Sequence, residues 1–509
     1  MVGVPGRSKA CSTCRERKIS CDEAKPRCSR CVRSGRECGG YKRPRVFVNR
    51  FSETQLPPVQ AYTLSGTRRD PRHGRWTVYI PDPHTVSTMS KSPDLHPAEQ
   101  QQLISRFIQG FCPPMDPTLR PSERIHHYWV YCLPSIHGRS HVLDTAIMTL
   151  CASFLGRIMN DEVLQQRAIS VCGEALRSLS TIIAAPNFSA SDNVLAAVMC
   201  LGMAEVYSVP TQPAVDVGWA SHNKGGCELL VSRGPSILRS ELARGLLLRF
   251  RVTGLSTAIG RRKPFPFADE ELRQISKAAN QNYYDHLMDA LVDIPGLLHD
   301  LNDMRQAGAE SENGLRDILA RGKAVGAELR RWLADFVAQQ PSAWHCVDGP
   351  LHPGPYLFHG TFRFHNLLAA QAMTHFWAGL VILARCYAMC QDMSRGVTDL
   401  DEDVHVACMQ LFECSPLQVS RTPWGPQALG SHFADMICSA ADYFTSRDRG
   451  ISGPIILLFP LWIAKDVYAN MQNHLSRLKE VFCVGVFQEL GRRGMKISDA
   501  LVGLSTKQP

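Results

Sequence analysis

Six cysteines fall between residues 11 and 38, in the order Cys11-x2-Cys14-x6-Cys21-x6-Cys28-x2-Cys31-x6-Cys38. The pattern is one half, C-x2-C-x6-C, written twice with a six-residue loop between the copies. A C-x2-C pair sits at i and i+3, so one helical turn presents both sulfurs to a single metal ion. Thiolate sulfur suits Zn2+, which takes four ligands in a tetrahedron. Two such ions need eight ligand positions and six cysteines supply only six, so two thiolates must bridge both metals. The repeat suggests that symmetry-equivalent cysteines, one from each half, do the bridging. A segment this short has almost no apolar core, and metal binding must supply most of its folding free energy. A disulfide scaffold or a metal-storage segment would draw on the same residue type. Met1–Ala10 has no apolar stretch of the secretory kind, so the thiols are expected to stay reduced. A storage segment, for its part, has no use for basic side chains interleaved with its ligands.

Those basic side chains carry the next inference. The 509-residue chain has a formal net charge of +9. Residues 1–50 hold fourteen Lys and Arg against four Asp and Glu, a net of +10, so the remainder nets −1. Six thiolates and two Zn2+ leave about +8 on the block, enough for a marked salt dependence of phosphate binding. A local excess of this size points to a polyanion, with nucleic acid ahead of an anionic membrane surface. The longest apolar runs, Phe376–Ala384 and Ile455–Ala464 with Pro460 inside it, are shorter than a bilayer requires. No membrane partner is expected.

Three stretches, Ala10-Cys-Ser-Thr-Cys-Arg-Glu-Arg-Lys18, Ile19-Ser-Cys-Asp22 and Lys25-Pro-Arg-Cys-Ser-Arg-Cys31, closely resemble the fungal six-cysteine binuclear zinc cluster transcription factors. The resemblance implies two Zn2+ ions held by Cys11, Cys14, Cys21, Cys28, Cys31 and Cys38. It implies that Cys11 and Cys28 bridge the metals and the other four are terminal. It further implies a nuclear regulator of RNA polymerase II transcription whose first helix enters the major groove of double-stranded DNA at a CGG-type triplet. Lys18 matches the family's base-reading lysine, Arg17 its basic neighbour, and Pro26 the loop proline between the halves. The chemistry agrees, because guanine O6 and N7 are acceptors suited to Lys or Arg. Arg15, Arg27 and Arg30 are better placed for phosphates, which position a module without specifying sequence. Ser20 departs from the family pattern, standing where Lys or Arg is usual, and weaker backbone contact is expected there.

The remaining chain has to be organised around this block. Gly39-Gly-Tyr-Lys-Arg-Pro-Arg45 reads as a flexible exit with a basic tract. Residues 46–97 are rich in Pro, Ser, Thr and Arg without helical periodicity, as a disordered linker would be. No heptad run falls between residues 39 and 97, so the sequence leaves open monomeric binding or a homodimer formed through the large domain. Beyond residue 98 the pattern is helical throughout. Leu103, Phe107 and Phe111 recur at four-residue intervals, and Leu143, Ile147, Leu150, Phe154 and Ile158 mark one face. Ser191-Asp192 reads as a cap before Val194–Tyr207. Further helices are expected over Asn223–Ser232, Glu241–Ile259, Tyr284–Asp303, Glu312–Gln339, Thr361–Cys390, Val404–Phe412, Pro426–Ser446 and Pro454–Arg477. The fold class is therefore all-α: a small N-terminal cluster with two short helices at 8–40, a linker at 41–97, and a large helical domain at 98–509. Segments such as Ala146–Leu155, Asn193–Tyr207, His222–Leu230, Phe250–Ser256, Leu291–Leu298 and Leu458–Leu461 resemble the regulatory domain of one branch of the same fungal factors. That resemblance implies control of a metabolic or secondary-metabolite gene set. The transcription machinery is a further expected partner, and the size and apolar helices of the domain make a small-molecule effector between its helices another.

Several constellations look like chemistry and have plainer explanations. His126-His127 are adjacent, and neighbours on a helix point about 100° apart. Cys386 and Cys390 lie at i and i+4 in an apolar helix, where buried free thiols are usual. Asp399-Leu-Asp-Glu-Asp403 is expected to be a solvated interhelical loop. His222-Asn-Lys-Gly-Gly226 places glycines at an expected turn, but without phosphate-loop spacing. The competing class is an all-α enzyme of metal-dependent prenyl chemistry. The sequence has no paired Asp-rich motif, no H-E-x-x-H and no G-x-S-x-G, and no enzyme is expected.

Overall fold

The computed structural model describes residues 10–39, 97–113, 126–186, 188–208, 218–308, 311–347, 357–358, 360–394, 398–415 and 425–503. Residues 41–96 of the expected linker lie outside them. The chain divides into two compact units, residues 1–91 and 92–509.

The first unit contains two five-residue helices, α1 (Ser12–Glu16) and α2 (Ser29–Arg33). Helices this short do not persist alone in water. Their fully buried side chains are Cys11, Cys14, Cys28 and Cys31, with Ala10, Ile19, Cys21 and Cys38 packed against them. Sulfur takes the place of an apolar core.

The second unit is helical. It runs through α3 (Pro97–Phe111), α4 (Leu133–Ile136), α5 (His141–Ile158), α6 (Glu162–Ile183), α7 (Asp192–Ala204) and α8 (Trp219–Arg233). Next come α9 (Glu241–Arg261), α10 (Glu270–Ala279), α11 (Tyr283–Leu291), α12 (Ile294–Ala307) and α13 (Glu312–Gln339). After a hairpin follow α14 (Leu367–Met393), α15 (Thr398–Phe412), α16 (Pro426–Ser439) and α17 (Ala441–Thr445). The last three are α18 (Ser452–Ala469), α19 (His474–Arg492) and α20 (Ile497–Gly503). Side-chain caps set many of the starts. Asp161, Ser191, Ser240, Ser311, Asn366 and Asn473 each accept a hydrogen bond from a backbone N–H of the first turn, and Asn282 with Asp285 forms a reciprocal capping box.

α14 is the axis of the C-terminal half, with α11, α12, α13, α16 and α18 packed around it. Phe376 and Trp377 on it are fully buried, and Cys386 and Cys390 are buried free thiols. In the N-terminal half α5 is sandwiched by α3, α6 and α7. Phe107, Phe111, Phe154 and Tyr207 form an edge-to-face aromatic cluster there. α5 and α14 are long and apolar enough to cross a bilayer, although the apolar runs counted in the sequence are shorter. In both helices the apolar window lies inside the protein, 78% buried in α5 and wholly buried in α14, which is the signature of core helices.

Several expected elements differ. Thr361–Cys390 is not one helix. Thr361–Phe364 is strand β2, paired antiparallel with β1 (Trp344–Val347) in the register Trp344↔Phe364. Phe362 and Phe364 lay their rings on Trp377, so aromatic packing wins over helical pattern. Tyr284–Asp303 breaks between Leu291 and Ile294, where Pro295 opens a new helix in its first turn. The expected helices at 426–446 and 454–477 break likewise, after Ser439 and Ala469. Asp399–Asp403 is no loop. It lies in the first turns of α15, where carboxylates meet the positive end of the helix dipole, and Asp403 pairs with Lys323. His222–Gly226 is not a turn but the middle of α8.

Candidate metal centre and nucleic-acid interface

The two cysteine halves fold as near-copies displaced by seventeen residues. Cys11 Sγ accepts the Cys14 N–H at 3.4 Å, and Cys28 Sγ accepts the Cys31 N–H at 3.3 Å. Cys21 Sγ accepts the Cys11 N–H at 3.5 Å, and Cys38 Sγ accepts the Cys28 N–H at 3.4 Å. Each short helix thus begins with a cysteine that caps it, and each half is closed by its own third cysteine. N–H···S bonds of this kind orient a thiolate ligand.

Between the halves, Cys14 and Cys28 sulfurs lie 3.6 Å apart, Cys11 and Cys28 3.7 Å, Cys14 and Cys31 3.8 Å, and Cys11 and Cys31 3.9 Å. A tetrahedron with metal–sulfur distances near 2.3 Å has edges of about 3.8 Å. Two groups of four sulfurs emerge, each with its members within 4.8 Å of one another: Cys11, Cys14, Cys21 and Cys28, and Cys11, Cys28, Cys31 and Cys38. They share Cys11 and Cys28. Burial, and after it the neighbouring thiols, pushes the Cys14 thiol well above its usual range. Only a cation at the centre would make such packed sulfurs favourable as thiolates. The donor set fits zinc.

Polar ties hold the frame outside the sulfurs. Both carboxylate oxygens of Asp22 accept the Ser29 N–H, at 3.1 and 3.0 Å. The Ser29 contact, chiefly through its side chain, holds the Asp22 carboxyl below the usual carboxylate range. Thr13 Oγ1 donates to the Glu37 carbonyl at 3.1 Å and accepts the Gly39 N–H at 2.9 Å. Neither Asp22 nor Thr13 stands out in the cysteine spacing; their i-to-j reach becomes visible only with the fold.

The basic residues lie outside the sulfur core. Arg17, Lys18, Arg27 and Arg30 are exposed, and the Arg15 side chain lies outside the described residues. Ser20 is exposed as well. Lys18 follows α1 with φ +55°, in the left-handed region. The Ile19 N–H bonds back to the Cys14 carbonyl at 3.1 Å, closing α1 as a Schellman-type turn around Lys18. The second half makes the equivalent bond from the Arg36 N–H to the Cys31 carbonyl at 3.0 Å, around Gly35 at φ +61°.

Comparison with known proteins agrees with this architecture. Residues 9–46 match the fungal Zn(2)-Cys(6) binuclear cluster domain, and residues 102–343 match the fungal specific transcription factor domain. The chain belongs to the fungal binuclear zinc cluster transcription regulators, a family of zinc-binding proteins. Both domains and the relatives' names are those of transcription regulators rather than enzymes. Among the relatives is the aspercryptin biosynthesis cluster-specific transcription regulator of Emericella nidulans. It is 54% identical over 59 residues, which is 11% of this chain and 9% of that protein. The azaphilone cluster-specific transcription factor of Aspergillus niger is 27% identical over 192 residues, 36% of this chain and 41% of that protein. An uncharacterised transcriptional regulatory protein of Schizosaccharomyces pombe is 28% identical over 173 residues, 34% and 28% of the two chains. The aligned stretches therefore cover less than half of each of these relatives. No solved structure matches the chain.

Proposed function

We propose that this protein is a nuclear, zinc-dependent, sequence-specific DNA-binding regulator of RNA polymerase II transcription. Residues 8–40 bind DNA, residues 41–97 link, and residues 98–509 regulate, through the transcription machinery. Two Zn2+ ions are held by Cys11, Cys14, Cys21, Cys28, Cys31 and Cys38, with Cys11 and Cys28 bridging. The observation that carries this is the pair of four-sulfur groups sharing those two cysteines. Lys18 and Arg17 read base edges at a CGG-type triplet, and Arg15, Arg27 and Arg30 contact phosphates. Support for Lys18 comes from its exposed, left-handed position at the exit of α1. The names of the aspercryptin and azaphilone regulators support a biosynthetic gene set as the target.

The test is DNA selection on the zinc-loaded full chain beside Lys18→Gly and Cys14→Ser, with metal content measured on each. Two zinc ions per chain and enrichment of CGG-containing sites, lost in both variants, are expected. The spacing of enriched triplets reports whether the protein binds as a monomer or a homodimer. Zinc at one ion per chain would overturn the bridged cluster, and enrichment unchanged in Lys18→Gly would overturn the base-reading role.

A further inference from the structure

The helical unit forms a partly open pocket of about 790 Å3, walled by α5, α6, α7, α9, α14, α18 and α20. Its size is that of a site for a whole small molecule. Ile169, Leu176, Val252, Leu458 and Phe459 supply much of the apolar lining. α20 is bound in as a wall. The Ile497 N–H donates to the Val206 carbonyl at 3.1 Å, and Lys465 Nζ donates to the Leu501 and Val502 carbonyls at 3.2 and 2.6 Å.

Into this largely apolar space the protein turns buried donors that lack hydrogen-bond partners, beside one such acceptor, Gln371 Oε1, and the Glu205 carboxylate. Arg249 lines the cavity and is only 6% exposed. Its Nε is buried without a hydrogen-bond partner, and its guanidinium meets no carboxylate among the described residues. Burial lowers its pKa to about 10, with Tyr284 and Tyr207 nearby acting the other way. The Tyr207 hydroxyl and the Trp462 Nε1–H, also in the lining, are buried without partners. Arginine and the indole N–H can only donate, so the set asks for acceptor oxygens. Elsewhere on the same helix a buried arginine finds carboxylates through its Nη atoms, although its Nε is unpartnered as well. Arg251, two residues on and 1% exposed, pairs with Asp285 at 3.2 Å and Asp289 at 2.8 Å, and donates to Ser276 Oγ at 2.6 Å. α9 thus carries one buried arginine with protein carboxylates and one without, and the one without faces the cavity. A buried, unpaired cation is costly to keep, and an anion entering with its own apolar body would relieve it.

We infer that this cavity binds an organic acid with a largely hydrocarbon or aromatic body, its anionic oxygens on the guanidinium of Arg249. The site would make the helical unit a sensor of such acids. Nothing in the site involves DNA, so it stands or falls apart from the DNA-binding function.

Paired fluorescent probes on the full chain test it: anilinonaphthalene sulfonate, and the neutral N-phenylnaphthylamine, which has the same rings without the acid. The wild type is expected to bind the sulfonate at one saturable site about tenfold or more tighter than the neutral probe, the range of a charge-assisted hydrogen-bond pair. Arg249→Met removes that preference and keeps the neutral probe. Ser256→Trp, which fills the cavity from its partly exposed rim, weakens both. Dodecanoate displacing the sulfonate marks a carboxylate ligand, a naphtholate displacing it marks a phenolate, and displacement by neither overturns the site. Equal affinity of the folded wild type for the two probes overturns the role of Arg249, and this arm needs no variant to fold. Binding of both probes unchanged in Ser256→Trp overturns the cavity as their location.

Discussion

Lys18 stands where its symmetry mate in the second half is Gly35, and both backbones are left-handed. Glycine adopts that conformation freely, whereas a side-chain-bearing residue gives up about 1 kcal/mol to do so. A lysine kept at one of two equivalent turns, at this cost, is consistent with the proposed use of its side chain, although Glu23 in the same cluster is left-handed too. Lys18→Gly is therefore expected to keep zinc and leave the cluster as stable or slightly more so, by up to about 1 kcal/mol. Specific DNA binding should nonetheless be lost. Zinc affinity measured by competition with a chelator, beside binding to a CGG probe, separates the two; a parallel fall in both would make Lys18 merely structural. The buried arginine pair gives a second prediction at this scale. Arg251→Ala takes the guanidinium from Asp285, which is fully buried and keeps the Gln281 and Asn282 N–H groups on its other oxygen, so denaturant unfolding of the helical unit should lose about 3 kcal/mol.

At the scale of elements, α8 crosses α9 at Gly226, where an added Cβ would stand 2.1 Å from a ring carbon of Phe250. Its neighbour Gly225 has nothing within 4 Å of that point. Gly226→Ala should cost about 1–3 kcal/mol by overpacking, and Gly225→Ala should gain about 0.5–1 kcal/mol from helix propensity alone. Thermal melts of the two variants moving in the same direction would contradict this helix crossing. The crossing also marks the limit of the sequence. Periodicity locates Phe107, Leu143, Ile147 and Val194 as core residues, and all are buried, whereas Ile158, at the end of the same face as Leu143, is exposed. It also found Ser191 as a cap, which accepts the Val194 N–H at 3.3 Å. It placed the glycines of His222–Gly226 at a turn because glycine's local preference is for turns. The reason for Gly226 is a ring from another helix, which no local pattern carries. The hairpin at Trp344–Phe364 was missed likewise, since Thr361–Phe364 continues the apolar pattern of α14 and only the partner strand distinguishes it. Pro295, by contrast, was a readable break that length and apolarity on either side concealed. The six sulfurs were legible because the whole centre lies within one short stretch. The cavity was not, because its lining runs from Thr149 to Leu501.

For the molecule as a whole, the charge and the apolar mass are divided between the two units. Residues 1–50 carry +10 and everything after them nets −1, while the large apolar core lies wholly in the second unit. Among its described residues the first unit buries cysteine sulfurs, with Ala10 and Ile19 against them. Chelation should therefore unfold the cluster and abolish DNA binding while the melting of the helical unit stays put; a shift of that second transition would mean that zinc also serves the helical core. Salt should discriminate within the first unit. Each phosphate contact neutralised contributes about 0.9 to the slope of log K against log salt, whatever the sequence bound. Arg30→Ala and Arg27→Ala should each reduce the slope by about that amount and weaken CGG and scrambled sites alike. Lys18→Gly should instead remove the difference between the two sites, because a base contact is worth about 1–3 kcal/mol only on the correct base. Binding curves for both sites across a salt series read all three variants together. If Arg30→Ala narrowed the gap between CGG and scrambled DNA, the second helix would be reading bases, and the division of labour between the two halves would have to be redrawn.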